Sequence, residues 1–191
     1  MTDDTRTTHK AIADWTGDIV ALVSHVEEAL DHQLKLKSDN PTLTSTIQRF
    51  HDTVRDDKQR AEAFQKQYGS TAGNPVIQKG SELLGKAAGM INQMRHDSIA
   101  KALRDDFTAF NHVAMAYTML HATAMAYNDS AAEAFAGEGL KTWARMVQEI
   151  NQVISEAVVA ELASNTDEPA PNTSIVEGCR EFINQAWRET A

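Results

Sequence analysis

The chain has one cysteine, four prolines and nine glycines in 191 residues. A lone Cys179 excludes an internal disulfide, and so few helix breakers leave long stretches free to be helical. No apolar run approaches the ~18 residues that a membrane span needs. The N-terminal segment from Met1 to Lys10 carries acids where a secretory signal needs Lys or Arg, and no apolar segment follows it, so a cytoplasmic location is expected. Lys and Arg number 18 against 27 Asp and Glu, a formal charge of -9. That balance leaves no basic stripe and argues against nucleic acid as a partner. Glycine-rich phosphate loops and G-x-S-x-G are also missing, and no histidine lies near Cys179 in the sequence, so nucleophilic catalysis has little to stand on.

What is present is helical. With 42% hydrophobic and 24% charged residues the chain can bury a single core. A first helix is expected from Thr8 to Lys37, with Ile12, Trp15, Ile19, Leu22, Val26, Leu30 and Gln33 on one stripe. Asn40 can cap a second helix that has Pro41 in its first turn and runs to Tyr68. Its stripe is Leu43, Ile47, Phe50, Val54, Ala61, Phe64 and Tyr68. After a loop over Ser70–Pro75, a short helix spans Val76 to Arg95, with Ile77, Leu84, Ala87, Ile91 and Met94 inward; Gly80, Gly85 and Gly89 weaken it and point either to flexibility or, in preference, to a close helix crossing. Asp97 or Ser98 caps the third long helix, which carries Ile99, Leu103, Phe110, Val113, Tyr117 and Ala124 and ends at Asn128-Asp129. The fourth runs from Ser130 to Ala163 with Phe135, Trp143, Met146, Val147, Ile150, Val153, Ile154 and Ala157 inward. Two long hairpins joined by one lengthwise crossover follow from this order.

A proline-bearing stretch, residues 164–173, then separates residues 1–163 from a last amphipathic helix over 174–191. That helix opens on a capping-box pattern, Ser174 to Glu177, and puts Ile175, Cys179, Phe182, Ala186 and Trp187 on one side. It is expected to dock on the bundle or a sister subunit, or to address a protein partner.

A dinuclear centre in such a bundle needs inward carboxylates and an E-x-x-H pair on each of two helices, and no E-x-x-H occurs in the chain. His25 and Glu28 have the reversed spacing but fall at the edge of the apolar stripe and opposite it. Inward acids are Asp57 on the second helix, Asp106 on the third and Glu161 near the end of the fourth; His121 is the inward histidine. Asp57, Asp106 and His121 are thus the candidate metal ligands, yet Asp106 and His121 stand about 22 Å apart along one helix and cannot share an ion. The simplest assignment pairs the aspartates with neighbouring cations such as Lys58, or with buried hydroxyls. A haem bundle is disfavoured because Met119 and Met125 share a helix with His121.

Residues 18 to 162 resemble the YciE/YciF-like stress proteins of the ferritin-like superfamily. The resemblance rests on the arm from Phe50-His51 to Tyr68-Gly69, on the segment from Phe110 that ends Ala116-Tyr117-Thr118-Met119-Leu120, and on Ser130-Ala131-Ala132-Glu133-Ala134-Phe135. It implies a ferritin-like four-helix bundle with a short helix between helices two and three, to which the C-terminal helix is added. It also implies iron or manganese chemistry, but the family's paired glutamates fall at Phe110 and Val113, and the acids of the fourth helix around Trp143 and Val147. The expected protein is therefore all-α, without a cofactor or dinuclear centre: a non-catalytic binding, scaffold or stress-associated homo-oligomer, as a dimer. An atypical metal-dependent oxidase or peroxide-consuming enzyme using Asp57, Asp106 and His121 with iron or manganese is the alternative.

Overall fold

The structure, a computed structural model, describes residues 3–36, 40–68, 98–167 and 169–189, with side chains from Lys10 onward. The helix expected over Val76 to Arg95 and the loop before it lie outside the described residues. Among those described, all regular structure is helical: α1 (Asp3–Gln33), α2 (Pro41–Gln67), α3 (Ile99–Ala126), α4 (Ser130–Ser164), a 3₁₀ turn (Thr173–Ile175) and α5 (Val176–Glu189).

The helix starts are set by local chemistry. Asn40 accepts hydrogen bonds from the Thr42 and Leu43 amides, and Pro41, which has no N–H to satisfy, takes the first turn of α2. Ser98, not Asp97, caps α3 through the Lys101 amide. Between α3 and α4, Asn128 adopts a left-handed φ of 54°, which an asparagine tolerates. The tight turn lets Asp129 cap α4 on the Ala132 amide at 3.0 Å.

Interhelical bonds fix the direction of each helix. At one end of the bundle Asn40 donates to Glu156 (2.9 Å), the Ser98 hydroxyl to Glu161, and Gln33 to Asp106. At the other end the Tyr68 hydroxyl donates to Asp129 at 2.8 Å. Hence α2 and α3 run parallel, α1 and α4 run against them, and the connection from Tyr68 to Ser98 joins opposite ends, the lengthwise crossover expected from two hairpins. α1 packs against α2 and α3, and α4 against α3, α2 and α5. The core is the expected set, with Phe50, Phe110, Tyr117 and Trp143 its largest fully buried side chains. On α1 the stripe is rotated slightly: Val23 and Thr16 are buried where Leu22 and Trp15 are half-exposed. Thr16 is accommodated because its hydroxyl donates to the Ile12 carbonyl at 2.7 Å.

Three expectations about the acids and the tail need correcting. Glu161 is exposed and its carboxylate receives the Ser98 hydroxyl. Lys58 does not pair with Asp57; it reaches across to Glu27 of α1 at 2.6 Å. In the tail, Asn172 rather than Ser174 initiates helical structure, accepting from the Ser174 amide, and Ile175, Phe182 and Ala186 are exposed, while the partly exposed Trp187 keeps its ring 5.9 Å from that of Phe107 on α3. The docked face of α5 is instead Val176, Cys179, Arg180, Ile183 and Asn184, because polar groups direct it. Gln152 and Asn184 exchange two amide hydrogen bonds (2.6 and 3.3 Å), and Arg180 donates to the Gln152 carbonyl at 2.8 Å.

Candidate functional site

The centre of the bundle is organised around Asp57, a buried carboxylate on α2. Its Oδ2 accepts the Tyr117 hydroxyl of α3 at 2.8 Å and the Trp143 indole N–H of α4 at 2.7 Å. Its Oδ1 accepts Arg60, one turn further along α2, at 2.5 Å. Three helices are thereby tied to one carboxyl group. Buried Tyr and Trp each carry a polar tip that must find a partner, and here both find the same one.

Aromatic rings enclose this hub. Phe110 meets Trp143 edge-on at 5.3 Å and Phe50 at 5.2 Å. On the other side Phe135 stacks on Phe64 at 4.1 Å and lies 5.7 Å from Tyr117. The Arg60 guanidinium sits 5.2 Å from the centre of the Phe135 ring and reaches outward, so the compensating charge stays partly hydrated while Asp57 does not. Burial and the Asp57 carboxylate push the Tyr117 phenol far above its ordinary range, which keeps it a donor. Burial works against the charge on Arg60, but its hydrogen bond to Asp57 prevails and holds it protonated. Gly139 of α4 lies directly against the Tyr117 ring, where no side chain would fit.

Asp106, the second candidate, is equally buried but lies elsewhere. Its Oδ1 accepts Gln33 Nε2 of α1 at 2.7 Å. Eleven residues separate it from Tyr117, about 16 Å along α3, so Asp57 and Asp106 do not meet. His121, the third, is half-exposed on α3 and faces the open side of Gly137 on α4, with no carboxylate bonded to it. Among the described residues no three His, Cys, Asp or Glu side chains converge as metal ligands do.

The residues present do not fit the iron or manganese centre that the resemblance implied. Phe110 and Val113 are fully buried, with Trp143 and Val147 facing them in the core. Asp57, the buried carboxylate that Trp143 contacts, has both oxygens engaged by donors. What the hub can do is mechanical: it sets the relative height and rotation of α2, α3 and α4.

The sequence placed Asp57 inward with a neighbouring cation or a buried hydroxyl as its partner, which Arg60 and Tyr117 are, but pointed to Lys58 as the cation and not to the Trp143 indole. Arg60 could have been found as the cation three residues on, since i and i+3 share a helix face. Tyr117 and Trp143 were legible as core aromatics needing an acceptor. Gly139 carried no such signal, because its role depends on where a ring from another helix arrives.

Comparison of the chain with protein-family models, with curated proteins and with solved structures finds no match.

Proposed function

We propose that this protein is a non-catalytic, metal-free ferritin-like bundle that acts as a cytoplasmic binding or scaffold protein in a stress-associated role, working as a dimer. The observation that carries the metal-free part of this reading is the saturation of Asp57. An ion at the bundle centre would have to displace Arg60, Tyr117 and Trp143 together, leaving a buried phenol and indole unpaired, at about 1–3 kcal/mol for each orphaned group.

The binding part rests on α5. Its inner face is held by amide and guanidinium bonds to α4, while Phe182, 71% exposed, and Ile175 are offered to solvent. Large apolar side chains held outward on an anchored helix are what an adhesive surface needs.

Elemental analysis of protein expressed in iron- and manganese-supplemented medium tests the metal-free part, with well under one bound ion per chain expected. Two ions per chain would overturn it and favour the oxidase reading. The melting temperature is expected to be indifferent to added metal in both the parent and Asp57→Asn, because a ligand stabilises only the state it binds. A metal-induced rise that vanishes in the variant would contradict the proposal.

A further inference from the structure

A second polar pair, at the end of the bundle where α1 stops and α3 begins, is chemically incomplete. Gln33 and Asp106 are both buried, and one hydrogen bond joins them, from Nε2 to Oδ1 at 2.7 Å. The two atoms left over, Gln33 Oε1 and Asp106 Oδ2, are buried and have no hydrogen-bond partner. Both are acceptors, and an ionised carboxyl would leave them facing the interior with nothing to receive. A single proton changes this, since a protonated carboxyl offers a donor on one oxygen while keeping an acceptor on the other.

We infer that Asp106 and Gln33 form a neutral acid–amide pair, joined by two hydrogen bonds in a ring, that serves as a proton-operated latch between the last turn of α1 and the first turns of α3. The second bond runs from the protonated Asp106 Oδ2 to Gln33 Oε1 and satisfies both orphaned atoms at once.

The surrounding charges are consistent with this. On α3 the next carboxylate is Asp105, bridged by Arg104. On α1 Asp31 is engaged by His51 of α2 at 2.9 Å, and His32 is exposed. The charged groups of α2 and α4 at this end are committed elsewhere: Arg49 to Glu149, and Glu156 to Asn40 and, at 4.0 Å, to Arg180 of α5. Among the described residues no ion pair brings a cation to Asp106. Burial, with Asp105 adding to it and the Gln33 hydrogen bond opposing, raises the Asp106 carboxyl to about 7.

The latch also borders a cavity. Gln33 lines a small, partly open one together with Leu34, Leu36, Thr44, Ile47 and Ile99. When Asp106 loses its proton, one of the two bonds is lost and a buried charge appears. The end of α1 is then released from α3, and the apolar wall of that partly open cavity is exposed further.

Two measurements on the full chain test the latch: the carboxyl ¹³C shift of Asp106 across pH, and amide hydrogen exchange at residues 30–34 and 99–103, corrected for intrinsic rates. Asp106 is expected to titrate well above the ordinary carboxylate range, with protection of those amides falling by up to about tenfold per pH unit between about pH 4 and its midpoint and levelling off above it. In Asp106→Asn the side-chain amide donates to Gln33 Oε1 permanently, and protection is expected not to vary with pH. An Asp106 that titrates as an ordinary carboxylate overturns the inference, and this measurement needs no variant to fold. So does flat protection between about pH 4 and that midpoint, or an Asp106→Asn variant that keeps the pH dependence of the parent.

Discussion

Replacing Gly139 by alanine should damage the bundle although alanine is the better helix former. A Cβ at position 139 would stand 2.2 Å from Tyr117 Cε1 and 2.4 Å from Cδ1 and Cζ. Carbon atoms in contact sit about 3.5–4.0 Å apart, so the ring must retreat by more than about 1 Å. It has no free direction: Tyr117 is fully buried, Phe135 lies beside it, and its hydroxyl is held by Asp57. Overpacking of this kind costs about 1–3 kcal/mol. A hydrogen bond to a charged acceptor, if lost as the ring moves, adds about 1.5–3 kcal/mol. The helix preference for alanine returns only about 0.5–1 kcal/mol, so a net loss of roughly 2–5 kcal/mol is expected. For a chain of this size that is a fall in melting temperature of roughly 5–15 °C. Urea denaturation followed by far-ultraviolet circular dichroism measures it directly. Gly137→Ala is the control, because its Cβ would meet His121 at an ordinary 3.6 Å; it should be neutral or stabilising by up to about 1 kcal/mol. Placed in a Tyr117→Leu background, Gly139→Ala should lose most of its cost, since the ring it strikes is gone. A Gly139→Ala protein as stable as the parent would refute the packing argument, and equal costs in both backgrounds would show that Tyr117 is not the obstacle.

Asp106 should make stability fall as pH rises. Its carboxyl is raised from 3.8 to about 7 by burial and Asp105, so between these values the folded chain keeps a proton that the unfolded chain has released. The contribution is complete below about pH 4 and lost by about pH 7, for a total near 4 kcal/mol. The parent minus Asp106→Asn difference in denaturation free energy should trace that decline, and a flat difference would count against it. Deleting everything after Ser164 should leave a folded helical core but alter self-association or partner binding, as read by analytical ultracentrifugation and by capture from the native cell. An unfolded truncation would make α5 part of the core, while unchanged association and binding would leave it without a separable role. Asn40→Ala removes the cap of α2 and a bond to Glu156, and should cost about 1–2 kcal/mol in the same denaturation assay.

The helices and most of their inward faces were legible because they depend on spacing alone. Leu43, Ile47, Phe50 and Val54 recur at the helical period, and the residues that cap α2 and end α3 announce themselves by type. The hub was half legible: Asp57 stands on the buried stripe, but the donors that complete it arrive from helices 60 and 86 residues away. The tail misled for a different reason. Amphipathicity locates an apolar face without saying that this face is the docked one, and on α5 the exchange between Gln152 and Asn184 and the Arg180 bond to the Gln152 carbonyl turn it partly outward. No pattern in the α5 sequence alone could have given that rotation.

Asp57 and Asp106 show why two buried aspartates in one bundle settle differently. Each sits in an apolar interior that penalises a bare charge. Three residues after Asp57 stands Arg60, long enough to leave its head partly in solvent while touching the carboxylate. Around Asp106 the positions three and four away are Ala102, Leu103, Ala109 and Phe110, none of which can supply a cation. Its partner across the helix interface is an amide, which has a donor to give and an acceptor left over. The first aspartate is therefore paired with a cation on its own helix, and the second is accommodated by keeping its proton. A proton-compensated carboxyl holds its helices together only while the proton stays, which places a pH-sensitive end of this bundle at Gln33 and Asp106.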